Sequence, residues 1–166
     1  MDFDWKHSGI AESIGIDTQD SWLRETLLNS LHSTEHFAKT FIPETFWRSM
    51  TPQHTEVWNM LDDDLTPKAC ACCYRSFGKS SMAEAKIIKG ILFRQIHHAM
   101  ILGSNHDTAS EATENIKAEL LANNAIREVF GNLKPKSRVD LPLSFSKKTF
   151  FLVDPQTGES MCMERV

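Results

Sequence analysis

Tyr74-Arg75-Ser76-Phe77-Gly78-Lys79-Ser80-Ser81 is the stretch of this chain whose residue types and order could do chemistry. A Gly-Lys-Ser turn that opens a helix can hold a phosphate. The first N–H groups of a helix lack intrahelical acceptors and carry a positive partial charge, so they attract anions. Gly78 lets the backbone turn and approach a phosphate with no Cβ in the way. Lys79 can neutralise β- or γ-phosphates, and the Ser80 hydroxyl can hold Mg²⁺. The complete phosphate-loop motif asks for a glycine five residues before Gly78, and Cys73 stands there instead.

Such a loop needs a strand before it and a helix after it. Ala69–Tyr74 is a run of small, apolar side chains without alternation, which predicts a strand buried on both faces. A long helix is expected from Lys79-Ser80-Ser81 to about Ile96, with Ala83, Ile87, Ile88, Ile91 and Leu92 as its apolar stripe. Residues 99–103 read as a second buried strand. Thr108 and Glu111 suggest a capping box that opens a further helix, whose face is Ala109, Ala112, Ile116 and Leu120. Asn123-Asn124 breaks it, and a short helix carrying Ile126, Val129 and Phe130 ends at Gly131. Upstream, helices are expected around Leu23–Leu31 and Thr34–Phe41. Another opens at Thr51-Pro52, where proline suits the first helical position, and shows an apolar face of His54, Val57, Trp58 and Leu61. Asp62-Asp63-Asp64 has the wrong charge for a helix C-terminus and is expected just past it, as a solvated loop. The fold class that follows is α/β: a partial P-loop NTPase, a parallel-sheet core with flanking helices, preceded by an N-terminal helical segment. The expected divisions are a loose segment 1–20, a helical segment 21–66, and a partial ATPase core 67–166.

The chain has 166 residues with a net charge of −4 and 41% hydrophobic residues, enough for one ordinary domain. Seven Gly and six Pro exclude a collagen-like or linker composition. No apolar run approaches the roughly 20 residues of a membrane span. Met1-Asp2-Phe3-Asp4-Trp5 is acidic where a signal peptide is basic, so an intracellular, soluble protein is expected. The charge is uneven: residues 1–66 hold 12 acids and 4 bases, and residues 67–166 hold 10 acids and 14 bases. The second part is thus the better match for an anion.

The order Tyr74-Arg75-Ser76-Phe77-Gly78-Lys79-Ser80, with no first glycine and an Arg four residues before the Lys, resembles the deviant Walker A of phage terminase large subunits. Those are the ATPases that drive DNA into viral capsids. Thr51-Pro52-Gln53-His54-Thr55-Glu56-Val57-Trp58 lies where that family has its adenine-contacting motif, which makes Gln53 and His54 the candidates for the base. Ile101 to Ala109 looks like the family's second strand and turn. The resemblance spans about Phe41 to Val166. It implies ATP and Mg²⁺ as cofactors, with Cys73, Tyr74, Arg75, Ser76, Phe77, Gly78, Lys79, Ser80 and Ser81 around the nucleotide. Lys79 would hold the triphosphate, Ser80 the Mg²⁺, and Arg75 would sense the γ-phosphate. It also implies double-stranded DNA, the small terminase subunit and the capsid portal as partners, with homo-oligomer formation in the full motor. The location implied is the cytoplasm of an infected cell. A Walker B strand should end in Asp and be followed by a catalytic Glu. Phe150-Phe151-Leu152-Val153-Asp154 imitates it, but Pro155 follows, and Asp154 to Glu159 has the chemistry of a hairpin turn. The family's Walker B would come after that hairpin, so this chain is expected to stop short of it and to hydrolyse ATP poorly. Other readings are a helicase-like P-loop protein and a non-hydrolysing nucleotide- or DNA-binding accessory.

Three further groups have simpler readings. Cys70, Cys72 and Cys73 lack a paired zinc-spaced partner and are expected as buried thiols of the strand. His97-His98 is expected in a loop, and Ser104, His106 and Asp107 are sequence neighbours with no triad geometry to suggest. Residues 134–148 carry Lys134, Lys136, Arg138, Lys147 and Lys148 against Asp140 alone. That stretch could meet DNA phosphates or be a solvated loop.

Overall fold

The computed structural model describes residues 21–63, 65 and 68–133, together with the backbone of Thr149–Val153 and Ser160–Arg165. The expected loose segment 1–20, the basic stretch 134–148 and the turn at 154–159 lie outside the described residues. In chain order the elements are α1 (Ser21–His32), α2 (Thr34–Phe41), α3 (Pro52–Asp62), α4 (Lys79–Leu92), β1 (His98–Ile101), α5 (His106–Ala122), α6 (Asn124–Phe130), β2 (Thr149–Val153) and β3 (Ser160–Arg165).

Helices dominate the described chain, and this overturns the expected α/β P-loop fold. Among the described residues there is no parallel-sheet core. The strands form a small mixed sheet in the order β1-β3-β2, with β1 parallel and β2 antiparallel to β3. The strand expected before the Gly78 turn does not form. Along that segment Cys70, Cys72 and Tyr74 are exposed while Ala71 and Cys73 are half-buried. The segment therefore covers the core with one side only, and its small side chains offer little apolar area to draw the other side inward. Helix α4 packs against α2, α3 and α5, where a P-loop fold would place it on strands.

One hydrophobic cluster runs from Leu27 to Leu133 and takes side chains from every helix. Phe37, Phe41, Phe93 and Phe130 form its aromatic centre, with ring centroids 5.2–6.3 Å apart. Phe37 and Phe41 are tilted and the other three pairs edge-to-face; such pairs contribute about 0.5–1.5 kcal/mol each beyond the area they bury. Leu27 of α1, Ile88 and Ile91 of α4, Ile116 and Leu120 of α5, and Ile126 of α6 are buried as their helical spacing predicts.

Helix ends differ from the sequence reading in three places. Helix α4 stops at Leu92, short of Ile96, because the Gly90 carbonyl accepts from both Gln95 N and Ile96 N at 2.7 and 2.9 Å. Ile96 then folds back over Gly90, where any Cβ would collide with it. Helix α5 begins at His106, and its cap is Asn105, which accepts from Thr108 N at 2.9 Å, so Thr108-Glu111 is not the capping box. Asn123 ends α5 and caps α6 by accepting from Ile126 N; its amide donates to the Phe41 carbonyl at 2.7 Å and fastens this elbow to α2.

The third difference is Asp62. It is the last residue of α3 and half-buried, not part of a solvated loop. Its carboxylate accepts from Thr34 N at 2.7 Å and from the Thr34 hydroxyl, so it caps the start of α2. Lys86 and Lys89 of α4 both reach it at 3.2 Å. Lys89 is only 2% exposed and also donates to Thr34 Oγ1 at 3.1 Å. Burial alone would raise the Asp62 carboxyl, but the Thr34 hydrogen bonds and the Lys89 charge hold it below its ordinary value.

Candidate functional site

Two loops and two helix starts enclose a cleft of about 380 Å³ beside the Gly78 turn. That is within the range of small-molecule sites, about 300–1,000 Å³. The loop between α2 and α3 supplies Phe46, Trp47, Arg48 and Met50, and the first turn of α3 supplies His54. The opposite wall is Tyr74, Ser76, Phe77 and Gly78, with Ser81 and Met82 from α4.

The Gly78 wall is shaped by backbone. Ser76 and Gly78 both have positive φ, 66° and 92°. Gly78 is the N-cap of α4, and no side chain caps it. The first N–H groups of α4 are therefore open to a ligand, and the first helical bond is Met82 N to the Gly78 carbonyl at 3.0 Å. A Cβ placed on Gly78 would meet nothing within 4 Å, so the space over the turn is open.

His54 ties the two walls together. Its Nδ1 faces the Thr51 N–H at 3.1 Å and the Thr51 hydroxyl at 2.7 Å, and its Nε2 faces the Phe77 carbonyl at 3.1 Å. The Thr51 amide can only donate and the Phe77 carbonyl can only accept, so the proton sits on Nε2. The imidazole also stacks on the Phe77 ring, with centroids 4.2 Å apart and planes 6° from parallel. Tyr74 meets the same Phe77 ring edge-on at 5.3 Å.

The aromatic end of the cleft faces water. Trp47 is 71% exposed and Tyr74 69%. The Arg48 guanidinium lies 4.8 Å from the Trp47 ring centre, while Phe46 anchors the loop on buried Trp58 at 5.5 Å. Among the described residues Arg48 is the lining's one permanent charge, and no carboxylate lines the cleft. The lining suits an anion with a flat, apolar part.

The sequence candidates divide accordingly. Tyr74, Ser76, Phe77, Gly78, Ser81 and His54 line the cleft. Arg75, Lys79 and Ser80 are exposed beside it, at the mouth of α4, and are not among its lining residues. Of the two residues singled out for the base, His54 lines the cleft, whereas Gln53 is exposed and does not. Cys73 is half-buried against the core. Cys70 and Cys72, expected as buried thiols, are exposed because the strand that would have covered them is missing. Among the described residues no group of three His, Cys, Asp or Glu converges to hold a metal ion. The part that sequence reasoning missed is the α2–α3 loop, signalled only by Phe46-Trp47-Arg48 between Pro43 and Pro52.

Within the described residues no helix is long and apolar enough to cross a membrane. Comparison of the chain with protein-family models, with curated proteins and with solved structures finds no match in any of the three.

Proposed function

We infer that the chain binds a nucleoside triphosphate, ATP by the terminase resemblance, across the cleft and the N-terminus of α4. The observation that carries the reading is that His54 and the Gly78 turn, 24 residues apart, wall one open cleft. The base fits against the Trp47 and Tyr74 faces, where stacking contributes about 1–3 kcal/mol per base. The phosphates fit over the uncapped N–H groups of α4, with Lys79 and Arg75 free to swing toward them. Both cations are exposed. Mg²⁺ would arrive with the nucleotide and take Ser80 and phosphate oxygens as ligands, since the cleft offers it no carboxylate.

The role that fits this binding is the nucleotide-holding part of a terminase-like DNA-packaging ATPase. In that setting double-stranded DNA would meet the basic residues 134–148, and the small subunit and portal would be the protein partners. No apolar strand ending in Asp-Glu occurs in the sequence, so turnover by this chain is expected to be slow. The test is a titration with ATP and Mg²⁺ followed by tryptophan fluorescence, in the unaltered chain, Lys79→Ala and Trp47→Phe. Saturable binding that weakens about tenfold or more in Lys79→Ala supports the reading. Equal affinity in that variant, or no binding at millimolar ATP, rules it out.

A further inference from the structure

Cys70 and Cys72 lie in the extended segment that leads to the cleft, and both thiols are exposed. Their sulfurs are 3.8 Å apart, within hydrogen-bond reach, and either can donate. Two side chains separated by one residue project to the same side of an extended chain, which is how an exposed loop brings the two sulfurs together. Cys73, next in sequence, projects to the other side and is packed against the core. Three adjacent thiols therefore resolve into one solvent-facing pair and one that is held apart. The hydrogen bond to Cys72 and the nearby Cys72 charge push the Cys70 thiol above its ordinary value, which leaves the first attack to Cys72.

We propose that Cys70 and Cys72 are a dithiol modification site that closes to an intraloop disulfide by exchange with a low-molecular-weight disulfide such as oxidised glutathione. The Cys72 thiolate attacks one sulfur of the small disulfide, forms a mixed disulfide and expels one thiolate. Cys70 then loses its proton to solvent and attacks the Cys72 sulfur, and the second small thiolate leaves. The chain loses two electrons and two protons, and the small disulfide leaves as two thiols. Cα atoms two residues apart in an extended chain are about 6.6 Å apart, at the wide end of what a disulfide spans, so the link is strained and readily reduced.

The experiment is mass spectrometry of the full chain after incubation with oxidised glutathione and alkylation of the remaining thiols. The expected product is monomeric, two hydrogens lighter and free of glutathione, with the link mapped to Cys70 and Cys72 and reversed by mild reductant. Cys73→Ser should give the same product. Cys70→Ser and Cys72→Ser should lose the internal link, and the thiol left behind should keep a glutathione adduct. A lasting adduct with no internal link in the unaltered chain overturns the proposal. So does a link that involves Cys73 or Cys162, or one that joins two chains.

Discussion

The Nε2 of His54 stands 3.1 Å from the Phe77 carbonyl oxygen, and the two rings stack with centroids 4.2 Å apart. This contact joins the first turn of α3 to the loop that delivers Gly78. Replacing His54 with Ala removes its hydrogen bonds to Thr51 and to the Phe77 carbonyl and one stacked ring, a loss of about 2 kcal/mol in chemical denaturation. On the nucleotide reading the same change should weaken ATP binding several-fold, because the Phe77 wall is no longer held. Gln53→Ala, one residue away but exposed, should alter stability by less than about 0.5 kcal/mol and leave affinity unchanged. Similar losses from both variants would show that His54 has no special part.

Asp62 and Lys89 predict an asymmetric pair of variants. Asp62→Ala takes the carboxylate away from the buried Lys89 ammonium and the Thr34 N–H and should cost about 3 kcal/mol. Lys89→Met keeps the volume and removes the charge, so it should cost less than about 2 kcal/mol. The carboxyl is lowered in the folded chain, so its contribution is present above its ordinary 3.8 and is lost as pH falls through the folded value. In chemical denaturation followed by circular dichroism, the unaltered chain should therefore be more stable than Asp62→Asn at pH 7, and that advantage should shrink as the pH is brought below 3.8; an advantage that is constant with pH would rule out the charge as its source.

Glu84 predicts a pH effect of opposite sign. It sits on α4 facing α5; burial raises its carboxyl, Asn115 partly offsets this by a hydrogen bond, and the charges of Glu111 and Glu119 raise it further. A raised carboxyl penalises the folded state above its folded value, and the penalty vanishes below the ordinary 4.5. Glu84→Gln should therefore raise Tm at pH 7, and its advantage should shrink to nothing as the pH is brought below 4.5. An advantage that is constant with pH would assign the gain to packing instead of charge.

Gly78 predicts a strain effect without a clash. At φ 92° an alanine is in the left-handed region, although its Cβ would touch nothing within 4 Å. Gly78→Ala should cost about 1–2 kcal/mol through the backbone alone. On the nucleotide reading it should also lower ATP affinity by filling the space over the turn. Hydrogen exchange at the start of α4 should rise in the variant while that of α5 stays unchanged.

The helices were legible in the sequence because their apolar spacing and end signals act locally: Thr51-Pro52, Asn123 and Gly131 all start or stop helices where expected. The strand at 69–74 was misread because a run of small apolar side chains says nothing about whether a neighbouring strand exists to pair with it. Asp62 was misread for a similar reason. Its partners Thr34 and Lys89 lie 28 and 27 residues away, and an acid at a helix end looks unfavourable until those partners are in place. In the cleft, the Gly78 wall and His54 could be named from order and spacing. The Trp47-Arg48 wall could not, because a loop's position is set by Phe46 packing on Trp58 and by nothing in the loop's own pattern.

The Thr34, Asp62 and Lys89 cluster has a consequence for a chain that is cut. Lys68 is exposed and lies between Asp62 and Lys89 in sequence, so trypsin can sever the covalent connection there without touching the cluster. The two pieces would still share one aromatic centre and one buried ion pair, and should migrate as a single nicked particle until denaturant separates them. The helices before Lys68 are in that sense a subunit of the Gly78 site that happens to be encoded in the same chain.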